Sequence, residues 1–198
     1  MTGVRRLLLS ALVVGLAAVV AGTATWAAFS GTTANAGNSF AAGTVSLTDN
    51  DGGVTLLSLT NAIPGETATG CIKVTYAGSL AADVKLFGTA SGGLAPYLTL
   101  KVTRGTDSGG TFPDCGSFTA DTRDYAGNGA GVIYSGNLSS FPSSYAAGIT
   151  DPDNGTGGTE TWTTSEVHAY KLEVTLQNNT AAQGQSGSAS FTWEARNQ

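Results

Sequence analysis

Two stretches near the end of the chain carry the clearest period-two pattern. In residues 167–177, Tyr170, Leu172, Val174 and Leu176 fall on one side, against Lys171, Glu173 and Thr175. In residues 188–195, Ala189, Phe191, Trp193 and Ala195 oppose Ser190, Thr192 and Glu194. Alternation of this kind marks a strand with one buried and one wet face. Residues 71–76 repeat it, with Ile72, Val74 and Tyr76 inward and Lys73 and Thr75 outward, and residues 98–103 repeat it again. Residues 82–87, 131–135 and 40–47 are further strand candidates, the last with Val45 and Leu47 on one face. Turn chemistry punctuates them at residues 49–53, at Pro64-Gly65 and at residues 151–155, which end in Asn154-Gly155. Residues 54–59 are a short apolar run, 105–130 read as mostly loop, and 138–145 hold at most one helical turn, limited by Pro142. No helix-period segment of any length follows the first thirty residues. The pattern predicts an all-β fold, a two-sheet antiparallel sandwich.

The N-terminus has a different pattern. Arg5 and Arg6 precede an apolar run over residues 7–21, then small residues, then polar sequence. That order is a secretory leader. The run of about 15 residues falls short of the ~20 a bilayer span needs. Extended through Phe29 it would be long enough, so an uncleaved anchor is the alternative, and the only expected contact with a membrane. Cleavage is expected between Ala27 and Ala28, with Thr25 and Ala27 flanking Trp26; Ala34-Asn35-Ala36 is a second match downstream. The expected organisation is a signal helix over 1–27, a small polar segment over 28–38 and a sandwich over 39–198. The protein is expected to be secreted.

Composition narrows this reading. Of 198 residues, about 170 remain without the leader, enough for one domain with its own core. Arg5 and Arg6 would leave with the leader, taking the formal charge from −5 to −7. An acidic chain with scattered Lys and Arg offers no footprint for nucleic acid. Only 12% of residues are charged and 28 are glycine, which argues against charged disorder and for a loop-rich β protein. Cys71 and Cys115 are the only cysteines. In an exported protein such a pair most simply forms one disulfide. It would close a loop of about 45 residues, worth roughly 4 kcal/mol by chain entropy. Two free thiols are the alternative. On the phase of residues 71–76, Cys71 points outward unless Gly70 bulges, so the bridge would clamp a surface loop.

Candidate chemistry is sparse. His168 is the only histidine, and Glu166 lies two residues before it, on the same face of a strand. The pair could touch one metal ion, but no third ligand is apparent, and a half-exposed strand histidine is the expectation. H-E-x-x-H, G-x-S-x-G and phosphate-binding glycine loops are absent, so neither catalytic residues nor a cofactor are expected. The oxygen-rich clusters at residues 49–52 and 151–155 lack the spacing of a calcium loop and read as turns. Trp162, Trp193 and Tyr170 suggest a carbohydrate platform, but Trp193 and Tyr170 fall on the core phase.

Several motifs, in order, resemble a known family. Thr25-Trp26-Ala27-Ala28-Phe29-Ser30 resembles the cleavage region of the TasA/camelysin family of secreted bacterial proteins, which have a dedicated signal peptidase. Phe40-Ala41-Ala42-Gly43-Thr44-Val45-Ser46-Leu47 is similar to that family's F-x-x-G-T-L-x-L strand, and Ile63-Pro64-Gly65-Glu66 to its L-x-P-G-D turn. Residues 76–84 and Phe191-Thr192-Trp193-Glu194-Ala195 resemble its next strand pair and its last strand. Residues 90–160 have no counterpart, and Cys71, Cys115 and the low lysine content depart from the family. The resemblance implies a jelly-roll-like sandwich in extracellular-matrix or cell-surface fibres. It implies head-to-tail self-association in which the segment 28–38 (Phe29, Ser30, Gly31, Thr32, Thr33, Ala34 and Asn35 at its centre) adds as a strand to the next subunit. A non-polymerising surface-binding module is the alternative. Some family members are classed as metalloendopeptidases, which makes that activity a second alternative.

Overall fold

Neighbouring stretches of this chain fall into different sheets, because each long strand has one apolar face to bury. The computed structural model describes residues 43–197. The expected signal helix, the Ala27/Ala28 junction and the expected donor residues 29–35 lie outside them. Among the described residues there are ten strands: β1 (Leu47–Asp49), β2 (Thr67–Tyr76), β3 (Ala82–Ser91), β4 (Leu98–Asp107), β5 (Phe118–Ala120), β6 (Val132–Asn137), β7 (Ile149–Thr150), β8 (Thr161–Trp162), β9 (Val167–Leu176) and β10 (Ser188–Asn197). One sheet runs β1-β2-β9-β4, with β5 and β6 both pairing with β4; the other runs β10-β3-β7, with β8 also on β3. Every pairing is antiparallel. The two-sheet antiparallel β-sandwich expected from the alternation is the fold observed.

The core is where the inner faces meet. Ile72, Val74 and Tyr76 of β2, Leu98, Leu100 and Val102 of β4, and Tyr170, Leu172, Val174 and Leu176 of β9 pack against Ala82, Val84 and Leu86 of β3. Each of the larger side chains contributes about 1.5–3 kcal/mol by leaving water. Register places Ile72, Tyr170 and Arg104 in one row across the first sheet's inner face. From that row on, Arg104 of β4 and His168 of β9 bring charge onto the inner face, while β2 stays apolar through Val74 and Tyr76.

Local chemistry sets the connections. Glu66 N–H donates to Ile63 O at 3.0 Å around Pro64 and Gly65, and Gly65 has φ +87°. Pro at the second position and a left-handed Gly at the third define a type II turn, which launches β2. The expected turn in residues 138–145 is a single 3₁₀ turn, Leu138–Ser140, whose first free N–H is capped by Asn137 Oδ1 at 2.8 Å. Residues 54–59 form no strand. Leu56, Leu57 and Leu59 instead lie half-buried against the core as a loop.

Cys71 and Cys115 are joined, with Cα atoms 5.2 Å apart. The register of β2 with β9 runs unbroken through Gly70 and Cys71, so Cys71 does point to the outer face. It is nonetheless only 2% exposed. The loop before β5 folds over that face: Cys71 N–H donates to Pro113 O at 3.0 Å and Lys73 Nζ to Gly110 O at 3.3 Å. The bridge clamps this loop, as the phase implied, and the loop in turn buries the bridge.

Candidate functional site

A buried charged cluster lies at one end of the sandwich, and inward-facing strand positions build most of it. Arg104 continues the inward phase of Leu98, Leu100 and Val102 along β4. His168 stands two residues before Tyr170 on the inward phase of β9. Both are buried, at 3% and 9% exposure. The half-exposed histidine expected from sequence is therefore a buried one: its strand face is covered by Trp162, whose ring centroid is 4.2 Å away. Asp151 comes from the opposite sheet. It directly follows β7, and its N–H donates to Val84 O of β3 at 2.9 Å. Asp121 follows β5, and its N–H donates to Arg104 O at 3.0 Å.

Asp151 is the hub. Its carboxylate accepts from Arg104 Nε at 3.1 Å to both oxygens, from Tyr170 Oη at 2.7 Å, from Trp162 Nε1 at 3.0 Å and from His168 Nδ1 at 2.8 Å. Asp121 accepts from Arg104 Nη1 and, at 2.7 Å, from Tyr125 Oη. Arg104 Nη2 reaches Glu160 Oε2 at 3.3 Å and lies 2.9 and 3.0 Å from the two His168 ring nitrogens. Near-equal reach to both nitrogens puts it in line with neither lone pair, so we read this as contact with the ring.

The electrostatics follow from this geometry. Burial alone would push the Arg104 guanidinium down, but Asp151 and Asp121 outweigh it and hold it above its ordinary value. Tyr170 is pushed well up by burial and by the Asp151 carboxylate. Tyr125 is pushed up by burial and then by its bond to Asp121. Glu160 is also raised, first by burial and then by the neighbouring Glu166 carboxylate. One guanidinium stands among four carboxylates, and of these Glu160 is the one pushed upward.

The sequence-predicted pair Glu166 and His168 is brought together, with Glu166 Oε1 at 3.1 Å from His168 Nε2. The third ligand that sequence did not supply is Glu160. One donor atom from each of Glu160, Glu166 and His168 lies within 4.8 Å of the others. Periodicity could have pointed to Arg104 and His168, since both sit on the inward phase of their strands. Nothing local marks Asp121 or Glu160, which stand in or beside loops. Of the two oxygen-rich clusters, residues 49–53 are a turn, with Asp51 N–H on Asp49 Oδ1 at 3.1 Å and Gly53 N–H on Asp51 Oδ1 at 2.6 Å. In the second, Asp153 caps the turn through Thr156 N–H, while Asp151 is drawn away into the cluster. Tyr170 and Trp162 are buried, so they form no surface platform.

A second feature lies at the side of the sandwich. Among the described residues β10 pairs with β3 alone, which leaves its other edge without a strand partner. Beside it runs a groove of about 570 Å³, lined by Leu56, Leu57, Leu59, Leu94, Phe191 and Trp193. Phe191 and Trp193 face the core side yet are only half-buried, because the four-stranded sheet ends before it covers the six-stranded one.

The fold and these two features define an all-β sandwich with a charged, buried end and an open apolar edge. No protein-family model matches the sequence, and no curated protein matches it. Among the described residues no helix is long and apolar enough to cross a membrane.

Proposed function

We propose that this protein is an exported structural subunit of the cell surface or extracellular matrix, assembling head to tail by donation of its N-terminal segment as a strand. The observation that carries the reading is the unpartnered edge of β10 beside its apolar groove. A long edge strand offers a row of free N–H and C=O groups, and an added strand uses main-chain pairing for affinity and pockets for side chains. The donor is residues 28–38 of a neighbouring copy. Phe29 is its one large side chain, suited to the groove beside Phe191 and Trp193, and its small residues make few side-chain demands. The leader pattern and the ordered resemblance to the TasA/camelysin family support the same reading. A contact between two different patches need not close on itself and so propagates into a filament.

The alternative of a non-polymerising surface module predicts a monomer under all conditions that keeps its envelope or glycan affinity without residues 28–38. The peptidase alternative would draw on Glu160, Glu166 and His168, which the groove beside β10 does not border. Electron microscopy of the mature protein tests the assembly reading. Filaments are expected, and deletion of residues 28–38 should abolish them while leaving the β-rich circular dichroism spectrum unchanged. Mature protein that stays monomeric across concentration, pH and salt would sink the reading.

A further inference from the structure

We propose that Glu160, Glu166 and the Nε2 atom of His168 form a binding site for a divalent transition metal of the zinc class, which staples the two sheets together. The inference does not rest on the assembly reading. It begins with the histidine. Asp151, a buried carboxylate that can only accept, lies 2.8 Å from Nδ1, so Nδ1 carries the shared proton. In the neutral ring that leaves Nε2 with a lone pair, and Nε2 faces Glu166 Oε1 at 3.1 Å. Two acceptors aimed at each other need a proton or a metal ion between them. A carboxylate behind one nitrogen and an open lone pair on the other is the arrangement by which proteins orient a metal-binding imidazole.

Charge and spacing agree. Arg104 is occupied by Asp121 and Asp151, holds Glu160 through Oε2 alone, and lies against the face of the His168 ring through Nη2. Glu166 uses Oε2 to accept from Thr163 N–H at 2.8 Å and Thr163 Oγ1 at 3.1 Å, which leaves Oε1 turned toward His168. Tetrahedral ligands bonded at about 2.0–2.1 Å stand about 3.3 Å from one another. The Glu166–His168 separation already matches, and Glu160 has only to close from within 4.8 Å. One nitrogen and two carboxylate oxygens suit zinc-class ions better than calcium, which prefers a larger all-oxygen cage. The side chains of Glu160 and Glu166 are 19% and 21% exposed, so an ion can reach the site from solvent. Glu160 directly precedes β8, on the four-stranded sheet, while Glu166 directly precedes β9 and His168 is its second residue, on the other. A shared ion would therefore join the sheets at the end where the apolar core gives way to charge.

The test uses the purified protein with its disulfide intact. Isothermal titration with Zn²⁺ should show one ion per chain, saturable thermal stabilisation and reversal by chelator, with Ca²⁺ at the same concentration producing none of these. Co²⁺ should report an imidazole-containing site by its visible absorption. Glu160→Gln and Glu166→Gln, at partly exposed positions that leave the Arg104–Asp151 contact in place, should each weaken Zn²⁺ binding at least tenfold. Absence of one-to-one binding would overturn the proposal, as would equal affinity in both variants, which would mark an adventitious surface ion. Neutralisation by protons would overturn it too, and would show as a metal-free Glu160→Gln protein more stable than the parent while Zn²⁺ stabilises neither.

Discussion

At the scale of single residues, the Arg104–Asp151 contact has the most at stake. Both partners are nearly enclosed, and removing one leaves the other's charge in a poorly solvated place. Truncating one side of such a pair typically costs 3–5 kcal/mol. Asp151→Ala also strands Tyr170, Trp162 and His168, so urea unfolding should show a loss of about 3–5 kcal/mol relative to the parent. Asp107 is the contrasting case, at the surface. Its carboxylate is held below the ordinary value, chiefly by Ser117 Oγ; burial opposes this, and the N–H groups of Gly110 and Gly109 add to it. A depressed carboxylate contributes stability that is fully present above its unfolded value and is lost as pH falls through its folded one. An acid titration of stability from pH 5 to pH 2 should therefore separate Asp107→Asn from the parent at the top of the range. The two should converge below about pH 4. A gap that stays constant across the range would show that this carboxylate's charge is not what matters.

At the scale of elements, the bridge between β2 and the loop before β5 is decisive. It spans 44 residues of sequence, which in the chain-entropy model is worth roughly 4 kcal/mol. Replacing both cysteines (Cys71→Ala with Cys115→Ala) should lower stability by about that amount in urea. It should also speed hydrogen exchange over residues 108–117, while β4 and β9, held by each other, stay protected. Mass spectrometry of the unreduced protein should show Cys71 joined to Cys115; two alkylatable thiols would contradict this. The long strands were legible element by element. β2, β4, β9 and β10 each show their alternation in sequence, and β3 was visible as far as Phe87 before running on to Ser91. The two-residue strands β7 and β8 were not, because a pair of residues has no period to detect. They exist because β3 offers them an edge.

At the scale of the whole molecule, unequal sheets leave one side of the sandwich open among the described residues. Six strands face four, and the apolar side chains of β10 sit at the boundary. The expected loss of filaments on deleting residues 28–38 belongs to this scale. In the proposed assembly no single side chain would carry the contact, since main-chain pairing along an edge tolerates most point changes. The charged cluster has the same origin. It collects residues from β4, β9, the end of β5 and both sides of the 151–160 turn, which meet only after the sheets have stacked.

Sequence alone determined the class of fold, the alternation of β2, β4, β9 and β10 and the one possible disulfide pair, because these depend on periods and counts that local chemistry writes into the chain. It even placed His168 and Glu166 on a common face. Tertiary structure decided that this face is buried, that Arg104 spends its charge inside, and that Glu160 arrives from the other sheet. Burial and encounter depend on what a distant segment brings across the sandwich, and no stretch of sequence specifies its neighbour.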